Sequence, residues 1–241
     1  PSAADFDADG DLDFYVGSYS PDEKIDDSPR GGVSVPTGDF IYHDANDGAA
    51  NALFRNDGDW GFSNVTVEVG LNENNARRTL AVAWEDWDND GDQDLYVAND
   101  YGRNNMYRND GAEGFVDVAD AMGVEDRASG MSVTWGDYNR DGHMDLYVSN
   151  MFSSAGNRVT FQDTFKPEVP GEERARFQRF AKGNTLYQNS GKGGFEDVSE
   201  SASVAMGRWA WSSNFADVNN DGWDDLVVAN GYMTTDDSGD L

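Results

Sequence analysis

The chain alternates short apolar runs with polar, turn-forming stretches, and no apolar run is long. That pattern predicts short β-strands rather than helices. One run type follows an acidic segment, and four copies align: "ADFDADGDLDFYV" (4–16), "EDWDNDGDQDLYV" (85–97), "GDYNRDGHMDLYV" (136–148) and "ADVNNDGWDDLVV" (216–228). A second run type recurs as "NALFRNDGDWGF" (51–62), "NNMYRNDGAEGF" (104–115) and "NTLYQNSGKGGF" (184–195), a strand, a Gly-rich turn and a second strand, the mark of a β-hairpin. A third precedes the last three acidic segments: "TLAVAWED", "GMSVTWGD" and "AWSSNFAD", small or β-branched residues with an aromatic two positions before the first Asp, as in a buried strand.

The repeating unit is therefore strand, acidic loop, strand, hairpin: four strands each. The loops start at 5, 86, 137 and 217, spacings of 81, 51 and 80. About 50 residues suits one bare four-stranded unit, so the longer spacings hold insertions. The units are expected near 1–78, 79–129, 130–208 and 209–241, in a single domain spanning 1–241. The insertions fall at 19–50, a Pro-, Gly- and Asp-rich loop, and at 151–183, where "GEERARFQRFAKG" predicts a short helix with Phe177 and Phe180 on one face. The first unit opens directly before its loop and is expected to lack its first strand, and the last is expected to stop after its second.

The acidic spacing carries chemistry. Loop positions 1, 3 and 5 are Asp5, Asp7 and Asp9; Asp86, Asp88 and Asp90; Asp137, Asn139 and Asp141; Asp217, Asn219 and Asp221. Position 6 is Gly, which permits the sharp turn. Position 7 would offer only its backbone carbonyl, so its side chain varies freely: Asp11, Asp92, His143 and Trp223. Position 9 closes each site with Asp13, Asp94, Asp145 or Asp225. Oxygen donors of this number suit Ca2+, which takes six to eight at about 2.3–2.6 Å; Mg2+ wants a stricter octahedron. Unit charges ~4 Å apart repel by about 1–4 kcal/mol per pair at effective dielectrics of 80 to 20. A divalent ion reverses that term, so up to four Ca2+ sites coupled to folding are expected. Asn139 and Asn219 each remove a charge, so the third and fourth sites are expected to bind more weakly. An EF-hand would need a bidentate acid at position 12. Val16, Val97, Val148 and Val228 stand there, which rejects that motif.

Composition narrows the setting. Hydrophobic residues make up 38% of 241, with 13 Phe, 10 Tyr and 7 Trp, too much aromatic material for a disordered chain. The net charge of −29 argues against nucleic acid and anionic membranes as partners and favours cations and basic partners. With no Cys, disulfides, zinc-thiolate sites and thiol catalysis are excluded. No run approaches the ~20 apolar residues of a membrane span. Nothing reads as a signal peptide, and a chain opening at Pro1 directly before a motif is expected to be a processed or truncated piece.

On these loops and hairpins the chain resembles the FG-GAP/VCBS repeat family of integrin α-subunit heads and bacterial surface proteins, most of all bacterial relatives of cartilage acidic protein. The resemblance implies an all-β fold, a β-propeller of four-stranded blades with calcium in each blade's first hairpin. It places "LAVAW", "MSVTW" and "WSSNF" along a central channel, their small residues suiting a crowded axis. About three and a half blades are expected here, part of a larger propeller, or else a small ring closed by joining the N- and C-terminal strands or completed by another chain. The family's full ring usually has seven blades, and propellers range from about four to eight.

Three functions are compatible with that resemblance. The first is a secreted, cell-surface or periplasmic module for protein or glycan recognition and adhesion, with structural calcium. Arg78, Arg127 and Arg208, each shortly before a first strand, would then gather to hold an acidic ligand, or else pair with surface acids. Arg174, Arg176, Arg179 and Lys182 form a basic spot that reads either as a docking patch or as internal charge balance. The second is a subunit of a surface layer or filament, completed by other domains or chains. The third is a polysaccharide lyase or hydrolase, for which His43 in "IYHDAND" is the best base. No convincing catalytic constellation is present, so no enzyme is expected.

Overall fold

A computed structural model describes residues 1–20 and 44–231. His43 and most of the 19–50 insertion lie outside the described residues.

Among the described residues, three four-stranded antiparallel sheets and a two-stranded one follow each other along the chain, with a second, two-residue strand pair beside them. The first is formed by β1 (Ser2–Ala4), β2 (Asp13–Val16), β3 (Ala52–Asn56) and β4 (Phe62–Asn64) in that order. The second joins β5 (Arg78–Glu85), β6 (Asp94–Asp100), β8 (Asn105–Asn109) and β9 (Phe115–Asp117), while β7 (Gly102–Arg103) pairs separately with β10 (Arg127–Ala128). The third is β11 (Ser132–Gly136), β12 (Asp145–Ser149), β13 (Thr185–Asn189) and β14 (Phe195–Asp197). The last pairs β15 (Ala210–Ala216) with β16 (Asp225–Asn230).

One expectation is overturned. The first sheet does not lack its first strand: Ser2, Ala3 and Ala4 pair with Tyr15, Phe14 and Asp13. The sequence hid it because Ala3 stands where the other copies carry Trp84, Trp135 or Phe215. Pairing needs only backbone N–H and C=O groups, which Ser-Ala-Ala supplies.

Strand alternation sends each sheet's apolar residues to two faces, and consecutive sheets pack face to face. One core joins Phe6, Tyr15, Leu53, Val65 and Leu71 of the first unit to Leu95, Val97, Tyr107 and Phe115 of the second. The next repeats the scheme, with Trp87, Tyr96, Met106 and Val118 against Leu146, Val148 and Tyr187. In the two inner sheets the second strands are therefore the most buried; every residue of β6 and β12 is buried.

The first strands are less buried than their small, apolar sequences suggest. β1 lies beside β5, β5 beside β11 and β11 beside β15, yet Leu80 and Trp211 are exposed. These strands touch one another edge to edge instead of being covered on both faces. Small side chains allow the approach: Ser132 Oγ sits 3.2 Å from Ser213 Oγ, and Ser213 N–H donates to Ser132 Oγ at 3.1 Å. A Cβ on Gly136 would meet the Phe215 ring at 2.6 Å.

Helices occupy the connections. A single-turn α1 (Ala119–Met122) follows β9, and the 151–183 insertion holds α2 (Ser154–Thr160) and α3 (Gly171–Lys182). Helix α3 is the predicted one. Phe180 is buried and stacks on Tyr101 at 5.8 Å, whereas Phe177 meets Phe165 edge-on at 5.7 Å. Helix α2 lacks apolar periodicity and starts on a cap, Ser153 Oγ accepting from Gly156 N–H.

Candidate metal centres

Each acidic loop connects the first and second strands of its sheet and folds by one set of local bonds. The position-1 carboxylate accepts two backbone N–H groups, from positions 5 and 6. For Asp86 these are Asp90 and Gly91, both at 3.0 Å. Asp5 does the same for Asp9 and Gly10, Asp137 for Asp141 and Gly142, and Asp217 for Asp221 and Gly222. The position-5 carboxylate then turns the chain once more. Asp9, Asp90, Asp141 and Asp221 accept from the N–H of Asp11, Asp92, His143 and Trp223.

The glycine has a conformational reason. Gly10, Gly91 and Gly142 have φ of 97°, 99° and 87°, and a Cβ there would meet nothing within 4 Å. The left-handed backbone, not crowding, excludes other residues.

Position 9 closes the loop from inside the sheet. Asp13, Asp94 and Asp145 are the first residues of β2, β6 and β12, and are 0, 1 and 0% exposed. Their Oδ1 atoms accept the N–H of Asn56, Asn109 and Asn189 at 2.8, 2.7 and 2.8 Å. Oδ2 of Asp94 and of Asp145 is buried and meets no protein donor. Burial pushes the Asp94 carboxyl up to about 8 and Asp145 up to about 6, against the pull of the Asn109 and Asn189 N–H groups and the weaker pull of the Trp87 and Tyr138 backbone. Burial likewise raises Asp13 and, together with the neighbouring position-5 carboxylate, Asp7 and Asp88.

In the first two loops, positions 1, 3 and 9 converge. Asp5, Asp7 and Asp13 bring one oxygen each within 4.8 Å of one another, as do Asp86, Asp88 and Asp94. A cation bound at about 2.3–2.6 Å accommodates oxygens up to about 4.6–5.2 Å apart. The donor set is hard oxygen with an excess of negative charge, and in the second loop Asp94 Oδ2 is orphaned, whereas in the first Asp13 Oδ2 accepts Phe6 N–H at 3.1 Å; these residues fit a divalent cation. The position-5 residues Asp9 and Asp90 stand outside these groups.

The third and fourth loops keep the backbone fold but gather no three-carboxylate group among the described residues. Asn139 Oδ1 accepts Asp141 N–H while its Nδ2 donates to Asp141 Oδ2, each at 3.0 Å. Asn219 Oδ1 accepts Asp221 N–H at 2.8 Å. Asp225 is only partly buried and accepts from Val218 N–H at 3.2 Å. Two of the variable position-7 side chains contact the preceding loop instead of their own. Trp223 lies under the Arg140 guanidinium at 4.1 Å, and His143 Nδ1 sits 3.4 Å from Asn89 Nδ2.

All but one of the basic candidates bond internally. Arg78 makes two bonds to Asp47, at 3.0 and 2.9 Å, and Arg127 pairs with Glu125 at 3.0 Å. Arg208 makes no ion pair among the described residues. Arg179 reaches fully buried Asp126, Arg176 pairs with Glu172, Lys182 pairs with Asp197, and Arg174 donates to the Lys166 carbonyl. Within the 151–183 basic spot, Arg179 and Lys182 thus fasten α3 to the sheet units, while Arg174 and Arg176 bond within the insertion.

Sequence reasoning missed the hairpin asparagines, although "N-x-[LM]-[FY]-x-N" repeats them five residues apart. Asn51, Asn104 and Asn184 accept the N–H of Ser18, Asn99 and Asn150 through their Oδ1 atoms. Nδ2 of Asn104 and of Asn184 also binds the buried Tyr96 and Tyr147 hydroxyls. The second asparagine of each motif is the one bonded to position 9.

A profile of the FG-GAP-like repeat matches residues 86–148 and 177–228. The chain is 37% identical over 89 residues to cartilage acidic protein 1 of Xenopus tropicalis, covering 36% of this chain and 13% of that protein. It is 28% identical over 160 residues to cartilage acidic protein 1 of Mus musculus, covering 60% of this chain and 24% of that protein. The match thus spans at most about a quarter of these relatives' length.

Proposed function

From a chain that carries FG-GAP-like repeats, we propose a calcium-dependent, extracellular recognition module built as part of a β-propeller, in which calcium is structural and the ligand is a protein or glycan. The convergence of Asp86, Asp88 and Asp94 on one point, with a buried and otherwise unpartnered Asp94 Oδ2, carries the calcium half of this reading. Extracellular calcium is commonly millimolar, a level at which even weak extracellular oxygen-ligand sites fill. The similarity to cartilage acidic protein 1 and the net charge of −29 support a setting outside the cell. Among the described residues no helix is long and apolar enough to cross a membrane.

The test is calorimetric titration of calcium into the chelator-treated chain, followed by protein and glycan array binding with and without calcium. Saturable calcium uptake and array binding lost in chelator support the reading. Absent calcium uptake, or binding indifferent to chelator, contradicts it.

A second reading, as a subunit of a larger assembly, is favoured by the outer faces of the end sheets. Phe14 and Phe62, rings 5.4 Å apart, are 41 and 39% exposed; Val218 and Val227 are 66 and 45% exposed. These positions correspond to Leu95 and Phe115 on one face and to Trp87 and Tyr96 on the other, which are buried between sheets inside the chain. Each end thus presents one half of an interface that the chain itself completes twice.

A further inference from the structure

Two asparagines bridge neighbouring repeats. Asn109, at the end of β8, donates its backbone N–H to Asp94 Oδ1 at 2.7 Å, inside its own sheet. Its Nδ2 crosses to the preceding unit and donates to the Phe6 carbonyl at 2.9 Å. Phe6 stands between Asp5 and Asp7, positions 1 and 3 of the first loop. Asn189, at the end of β13, repeats both bonds one unit on: N–H to Asp145 Oδ1 at 2.8 Å, and Nδ2 to the Trp87 carbonyl at 2.9 Å, between Asp86 and Asp88. Both residues are 2% exposed. Asn56, in the first described sheet, turns its Nδ2 to the Leu12 carbonyl of its own unit's loop at 3.4 Å.

Each bridge therefore ties the closing carboxylate of one loop to the peptide between two carboxylates of the loop before it. On the calcium reading above, we propose that Asn109 and Asn189 are positioning residues that couple cation binding in adjacent loops. Asp94, once held by a cation, fixes the Asn109 backbone. The Asn109 amide then holds Phe6, and with it the spacing of Asp5 and Asp7, so that it links the two loops that gather three carboxylates. Filling the second loop raises the affinity of the first, and by reciprocity filling the first raises that of the second. Asn189 makes the same link between the third loop and the second. The His143–Asn89 contact lies across the same boundary as the Asn189 bridge.

The test is a double-mutant cycle read loop by loop. In the isotopically labelled chain the amide resonances of Gly10, Gly91 and Gly142, each bonded to a position-1 carboxylate, report the three loops separately during a calcium titration. Asp88→Ala, which impairs the second loop, is expected to weaken calcium binding at Gly10 by about fivefold or more, the low end of ordinary coupling. Asn109→Ala, which keeps the backbone bond to Asp94, is expected to weaken the first loop itself and to abolish the further effect of Asp88→Ala. If Asn109→Ala fails to fold, Asn109→Asp takes its place, keeping an acceptor for Gly111 N–H while offering no donor to Phe6. Effects on Gly10 that add independently overturn the coupling and leave calcium binding standing. A wild-type chain that binds no calcium overturns the calcium reading and this one together.

Discussion

Asp94 is nearly fully buried, yet its Oδ2 meets no donor in the protein, and Asp88 and Asp90 lie close enough to oppose its charge. Without a cation that charge is a cost; with one it is a ligand. Asp94→Asn keeps the acceptor for Asn109 N–H and removes the charge. It is therefore expected to raise the melting temperature in chelator and to lower it in saturating calcium, a sign reversal that thermal melts under the two conditions would reveal. Gly91→Ala should act in both. Its Cβ has open space, so the cost is that of a left-handed backbone, about 1–2 kcal/mol, measured by urea unfolding. At this scale the acidic residues were legible because four copies share one spacing. The partners of position 9 were not, since a hairpin Asn reads as turn chemistry until the fold carries it to the neighbouring loop.

The strands were legible as elements where an aromatic marks their end, and β1 was missed where Ala3 replaces it. What the sequence could not rank was burial. "LAVAW" is more apolar than "DLYVAND", yet β6 is the buried strand and β5 the half-exposed one, because β6 lies inside its sheet and β5 at its edge. The helical insertion shows the same limit. The charges of α3 were evident, but not that Arg179 meets Asp126, whose side chain is fully buried and also accepts from Asn150 and Thr185. Arg179→Ala leaves that carboxylate without its cation. The expected loss is about 3 kcal/mol, the low end for breaking a buried pair because two donors remain. Urea unfolding measures it, and Arg176→Ala, at an exposed pair, should cost well under about 1 kcal/mol.

The outer faces of the first and last described sheets expose apolar residues at positions that are buried between the inner sheets. If the end faces serve assembly, the chain should associate in a concentration-dependent way in sedimentation velocity, and Phe14→Glu should suppress that without lowering the melting temperature by more than a few degrees. A uniformly monomeric wild type would remove the assembly reading. The central claim is that cations in the acidic loops hold the sheets together. A single site at 100 times its Kd stabilises by about 2.7 kcal/mol, and each kcal/mol moves the midpoint by about 2–4 °C in a chain of this size. The most direct measurement is the thermal midpoint in millimolar calcium against chelator. The account predicts a midpoint higher in calcium by about 5–10 °C for one filled site and more for two; equal midpoints in the two buffers would contradict it.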